Sequence, residues 1–299
     1  MFLQNIFNAL QWGSFYSMIA LGYCLVYGVL RLINFAHGDI FMTACYIAFF
    51  LVTALLGVFG GGIPVLVITL IVTMAATALV GIFIERVAYR PLRRKGVNRL
   101  YVVITALMVG FILENGNLAL LGASSRRFPT ILAEQTISVG PAIITNLKLL
   151  VIAAAFLVFG ILQFIVRKTS FGMAMRAISY DKFAIPLMGI PVNRVITFTF
   201  ALGSGLAAVA GILFGMSYPI LDPYMGTIIG WKAFIAAVVG GIGDIKGAFI
   251  GGFILGFIEI FITVVLPSSY KDLFSFVILL IILVLKPTGF FGVARSTKI

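Results

Sequence analysis

The chain has 299 residues, 62% of them hydrophobic and only 10% charged, with a mean hydropathy of +1.19, whereas a water-soluble domain carries about 25% charged residues. A net charge of +12 would suggest nucleic acid as the partner of a soluble protein. Here the charges stand between apolar runs, where they set orientation in a bilayer, so nucleic acid is set aside. What remains is an all-α, polytopic integral membrane protein. At about 20 apolar residues per helical crossing, residues 1–299 form a single transmembrane domain of eight to nine helices.

The first apolar run covers about 9–30. No Lys or Arg precedes Arg31, so the basic n-region of a cleavable signal peptide is missing and the run is expected to stay as a span. The second, about 33–57, opens on LINFAHGDIF, which holds Asn34, the chain's only histidine, His37, and Asp39. An unpaired aspartate at the bilayer centre costs roughly 2.5–3.5 kcal/mol on insertion scales. Asp39, eight residues after Arg31, is therefore expected near the cytoplasmic end of the second span. Two roles fit it: a residue favoured at a helix N-terminus by the dipole, or part of an inner gate with Asn34 and His37.

Further runs fall at about 63–85, 100–122, 148–166, 195–218, 227–242, 247–266 and 273–285. The fourth run of the chain includes Glu114, Asn115 and Asn117; the seventh, 227–242, is short and either crosses or re-enters. All ten prolines lie at run edges or between runs, as continuous helices require. Three connections stand out. Residues 86–99 form a basic loop with Arg86, Arg90, Arg93, Arg94, Lys95 and Arg99. Residues 123–147 alternate polar with β-branched residues around Pro129 and Pro141 and predict a small extracytoplasmic loop or hairpin. Residues 167–194 mix charges with Met175, Ile178, Phe183, Ala184, Leu187 and Met188, and predict an amphipathic helix that docks on another protein. The alternative for that segment is packing on the protein's own helix ends. A second Gly-Asp-Ile, 243–245, precedes the eighth run and places Asp244 on the same side as Asp39.

Nine crossings put the basic loops 86–99 and 167–194, Arg31, Lys246 and the tail residues Lys286, Arg295 and Lys298 on one side. That side holds sixteen of the 21 basic residues. The positive-inside rule then sets the N-terminus outside and the C-terminus in the cytoplasm. Lys232, inside a run, belongs to neither side.

Chemistry is sparse. There is no G-x-x-x-x-G-K-[ST], and no Gly-Lys pair at all, so the chain does not hold ATP in a P-loop. GGIGDIKG, 240–247, has Lys246 where a dinucleotide fingerprint needs its third glycine. No G-x-S-x-G or H-E-x-x-H occurs, and Cys24 and Cys45 read as small core residues. Neither an enzyme nor a metal protein is indicated. The pairs Gly211 and Gly215, Gly247 and Gly251, and Gly252 and Gly256 keep the spacing that lets helices approach closely in lipid.

The stretches ALGYCLVYGVLRLINFAHGDIFM, IERVAYRPLRR, FGMAMRAISYDKFAIPLMGIPVNRVITFTF, GWKAFIAAVVGGIGDIKGAFIGGFILGFIE and YKDLFSFVILLIILVLKPTGFFG together resemble the H-type permease of the high-affinity branched-chain amino-acid importers, an ABC transporter family. The resemblance runs from about residue 9 to 292. It implies a multi-pass permease in a prokaryotic plasma membrane, moving leucine, isoleucine or valine. It also implies a second, M-type permease, two cytoplasmic ATPases that bind ATP and Mg, and an extracytoplasmic solute-binding protein. This chain would then bind no cofactor. Importers of this kind couple through a loop of the form E-A-A-x-x-x-G. Ala184 and Gly189 keep that spacing here, with Phe183 at the glutamate position and Pro186 inside it, so the resemblance assigns ATPase coupling to Arg176, Asp181, Phe183, Ala184, Leu187, Met188 and Gly189. For the pathway the candidates are Asn34, His37, Asp39, Gly240, Gly241 and Asp244. Urea and short-chain amide permeases share much of the pattern. An ion-coupled transporter or channel is a more distant alternative, for which Glu114 and Glu259 would be the ionisable groups.

Overall fold

A computed structural model describes residues 2–139, 142–180 and 185–292. Asp181, Phe183 and Ala184 of the coupling segment, Pro141 of the hairpin, and Arg295 and Lys298 of the tail lie outside the described residues. Among those described, eight helices are long and apolar enough to cross a membrane.

Chain order is α1 (Phe2–Leu30), α2 (His37–Phe59), α3 (Ile63–Ile84), a π-helical turn (Glu85–Tyr89), α4 (Arg90–Arg94), α5 (Arg99–Leu121), β1 (Arg126–Arg127), β2 (Thr136–Val139), β3 (Ala142–Thr145), α6 (Asn146–Lys168), α7 (Ser170–Tyr180), a 3-10 turn (Ile185–Met188), α8 (Val192–Ser217), β4 (Ile220–Leu221), α9 (Met225–Gly240), α10 (Ile245–Val265) and α11 (Lys271–Leu285). Of the two forms open to residues 123–147, loop or hairpin, the structure has the hairpin, β2 paired antiparallel with β3, and β1 pairs with β4. These strands mark one end of the bundle. The N-terminus lies there too, since Gln4 Oε1 accepts from the Ile143 amide at 2.9 Å. The opposite, basic end holds the Glu85–Arg94 segment, the α9–α10 turn and the chain after α11, where the Phe290 and Phe291 amides donate to the Val239 and Gly240 carbonyls.

The chain therefore enters α9 beside β4 and leaves it at the basic end. With only 16 residues, about 24 Å of helix, α9 is shorter than a bilayer core but carries the chain across.

α1 and α8 are the buried axis, while α3, α5, α6 and α11 turn large apolar side chains outward, as lipid-facing helices do. Close packing around α1 depends on the glycines of α10. A Cβ on Gly252 would press on the backbone of Ser17, and one on Gly256 on the backbone of Gly13; one turn apart, Gly247 and Gly251 face the Gly240 and Ala236 carbonyls of α9. The two spacings on α10 thus serve two different neighbours.

Residues 86–99, expected as a loop, are mostly helix. The fully buried Glu85 explains this, because Arg90 Nη2 at 2.9 Å and Arg93 Nη2 at 3.0 Å both bind its carboxylate. The wide π turn brings these arginines onto one carboxylate and carries the helix on to Arg94.

Candidate functional site

The LINFAHGDIF stretch between α1 and α2 folds back into the bundle. Arg31 adopts a positive φ of 58°, which an L-residue rarely takes, and the chain turns there so that α2 begins deep inside. The Tyr89 hydroxyl donates to Asn34 Oδ1 at 2.6 Å, tying the returning segment to the π turn. His37 lies over Gly22 of α1, where a Cβ would collide with its ring, and meets Tyr23 edge-on with centroids 4.8 Å apart. Asn34 and His37 are therefore buried fasteners of the re-entry.

Asp39 is placed differently. Its carboxylate stands against Gly226, at the start of α9, and Gly110, the central residue of α5. This is the middle of the bundle, not the cytoplasmic end of a span as the sequence suggests. The residue is 6% exposed and faces protein, the arrangement expected of an intramembrane acid. Its Oδ1 has no hydrogen-bond partner. Tyr23, Phe35, Leu107, Phe111, Thr227 and Trp231 complete, with the glycines, a cavity of about 130 Å³. One turn from Gly110, Glu114 Oε2 accepts from Thr227 Oγ1 at 2.6 Å.

The other pathway candidates are not brought to this cavity. Gly226 and Gly240 are separated by nearly the whole of α9, about 21 Å at 1.5 Å per residue. Gly240 and Gly241 pack on α10 and on the residues after α11. Asp244 caps α10, its Oδ1 accepting from the Gly247 amide at 2.7 Å, as a favoured N-cap does. It also lines a second cavity, about 500 Å³, at the basic end with Tyr27, Arg31, Arg176 and Tyr180.

The coupling segment divides. α7 is an amphipathic helix at Ser170–Tyr180, within 167–194, and it buries Met175 and Ile178 against the protein's own core rather than presenting them to another protein. Arg176 donates to the Val166 carbonyl at the end of α6. Leu187 and Met188, by contrast, are 89% and 74% exposed, and Gly189 closes their turn with φ 76°.

Sequence reasoning left Lys232 unassigned. It is buried and pairs with Glu259 at 3.0 Å and Asp272 at 2.7 Å, while the Tyr16 hydroxyl donates to Glu259 Oε2 at 2.6 Å and Ser275 Oγ to Oε1 at 2.9 Å. The signal that could have found this set was Lys232 and Glu259 each sitting alone inside an apolar run. Glu259 is thus a member of an ion-paired network joining α1, α9, α10 and α11.

A bundle of apolar helices with one helix starting in its interior, a second too short to span a bilayer core, and a carboxyl-bearing cavity between them defines a membrane transport subunit. The family model described as "Branched-chain amino acid transport system / permease component" matches residues 5–283. The chain belongs to this family. It is 39% identical over 304 residues to the high-affinity branched-chain amino acid transport system permease protein BraD of Pseudomonas aeruginosa, covering 100% of this chain and 98% of that one. It is 39% identical over 305 residues to LivH, the corresponding permease protein of Escherichia coli K12, with the same coverage. The probable branched-chain amino acid transport permease protein LivH of Methanocaldococcus jannaschii is 30% identical over 96% of this chain and 91% of its own length. No solved structure matches.

Proposed function

We propose that this chain is one permease subunit of an ABC importer that moves leucine, isoleucine or valine across a prokaryotic plasma membrane. The observation that carries the reading is the end-to-end similarity, at 39% identity, to two permease proteins of high-affinity branched-chain amino acid transport systems. A second, M-type permease completes the membrane unit. Two ATPases bind ATP and Mg at the basic end, which faces the cytoplasm by its excess of Arg and Lys. A solute-binding protein delivers substrate at the hairpin end. The bundle supports this reading by offering a re-entrant acidic residue in mid-protein and an exposed apolar pair, Leu187 and Met188, on the basic side.

That pair is where the ATPases engage, within residues 177–190. Because both side chains project from the surface, a charge there disturbs docking and not the fold. Leu187→Glu is expected to weaken co-purification of the ATPases and to reduce uptake, with unchanged permease in the membrane. Normal co-purification and uptake would remove the coupling role. The function itself is tested by co-purifying the subunits, reconstituting them in liposomes and measuring uptake of labelled leucine with ATP on the basic side. ATP-dependent uptake competed by isoleucine and valine, and not by urea or acetamide, is expected. Uptake driven by an ion gradient without ATP would overturn the reading.

A further inference from the structure

The cavity at Asp39 combines three features that together describe a ligand. First, its carboxyl is buried and Oδ1 lacks a hydrogen-bond partner, a costly condition for a polar atom inside a protein. Second, no Lys, Arg or His is among the residues that line the cavity; the buried Lys232 pairs with Glu259 and Asp272, the half-buried Arg90 and Arg93 pair with Glu85, and the ring of His37 is turned onto Gly22 and Tyr23. Third, the walls around the carboxyl are Tyr23, Phe35, Phe111 and Trp231. Phe35 and Trp231 are in contact, with centroids 5.4 Å apart. Aromatic faces attract cations and apolar groups alike.

A buried carboxyl with one unpartnered oxygen is relieved by a proton, by a cation of the protein, or by a cation that arrives. The second is absent among the described residues, and an aromatic lining adds nothing to the first. At about 130 Å³ the space is well below the roughly 300–1,000 Å³ of a drug-sized pocket, and suits one small solute with a cationic head and a short apolar body. Resting on the importer reading above, we propose that the Asp39 carboxylate holds the ammonium group of the transported amino acid in this cavity, with the aliphatic side chain against Phe35, Phe111 and Trp231. The absence of a Cβ at Gly110 and Gly226 leaves the carboxylate room between α5 and α9. The start of α2 inside the bundle then has a purpose: it delivers an acid to mid-protein.

The test uses the intact importer carrying Thr227→Cys, a position on the cavity lining that is exposed; the native Cys24 and Cys45 are buried. Reaction of the new thiol is followed without binding protein, in the presence of leucine, of 3-methylbutylamine, which lacks the carboxylate, or of 4-methylpentanoate, which lacks the ammonium. Leucine and the amine are expected to slow labelling, 4-methylpentanoate is not, and Asp39→Asn is expected to abolish the protection. Equal protection by 4-methylpentanoate, or none by leucine, would overturn the proposal. In uptake, Asp39→Asn should lose about tenfold or more, the size of a charge-assisted contact. Because Asn copies the shape of a protonated Asp, transport within about twofold of the parent by an assembled Asp39→Asn importer would show that a proton is the partner and sink the idea. If that variant does not assemble, Trp231→Ala decides: weaker protection by leucine supports the cavity, unchanged protection refutes it. Failure of the parent importer to take up leucine at all would instead count against the importer reading.

Discussion

Asp39 and Lys232 are both ionisable residues inside a membrane bundle, and the structure treats them in opposite ways. Asp39 has no cation beside it and one carboxylate oxygen without a hydrogen-bond partner, whereas Lys232 is given two carboxylates, one of which also accepts from Tyr16 and Ser275. Removing one member of a buried pair strands the other, which costs about 3–5 kcal/mol, while replacing both can be close to neutral. Lys232→Met alone leaves Glu259 and Asp272 facing each other and is expected to lower the thermal stability of the purified complex sharply. Adding Glu259→Gln to it should recover much of the loss. A thermal-shift cycle on the two single variants and the double variant checks this, and additivity would mean that the pair is not coupled. This network holds α9 and α11 to α10 through Lys232, Glu259 and Asp272, whereas Asp39 Oδ1 faces a cavity with no cation in its lining.

Among the elements, α10 is the one whose sequence most directly states its packing. Its small residues lie on two faces, one against α9 and one against α1. In lipid such contact is driven by backbone approach and dispersion, so filling it should separate the helices. Gly252→Val places methyl groups on the Ser17 backbone and is expected to destabilise by about 1–3 kcal/mol, read as lower yield and lower thermal stability. Gly116→Ala on α5, where a Cβ meets nothing within 4 Å, is expected to be neutral or stabilising by up to about 1 kcal/mol. If both behaved alike, the α1–α10 contact would not be the reason for the glycines. The same scale shows where reading by pattern failed. Met175 and Ile178 look like a docking stripe in sequence, yet α7 folds them onto α1 and α6, since periodicity reveals that a helix has an apolar face and not what covers it.

For the whole molecule, the alternation of apolar runs and basic connections predicts which end of the bundle faces the cytoplasm. A cysteine at Ser125, exposed at the hairpin end, is expected to react with an impermeant thiol reagent in intact cells, and one at Lys95, exposed at the basic end, is not. Labelling at Lys95 without labelling at Ser125 would invert the orientation and move the ATPases to the other end.

The sequence by itself determined that this is an all-α membrane protein, where its long helices run, that a loop or hairpin follows α5, and to which family its motifs belong. These follow from the free energy of burying apolar residues in lipid and from the positions of Pro, Gly and charge, all local in the chain. It also exposed Asn34, His37 and Asp39 as unusual. What only the tertiary structure decided was depth and company. The reversal at Arg31 and the bond from Tyr89 to Asn34, 55 residues apart in the chain, carry Asp39 to mid-bundle, and α5 and α9 bring the aromatic walls to it. A per-residue cost for a charge in the membrane assumes lipid around it. Whether protein stands there instead depends on contacts between distant segments, which no local pattern records.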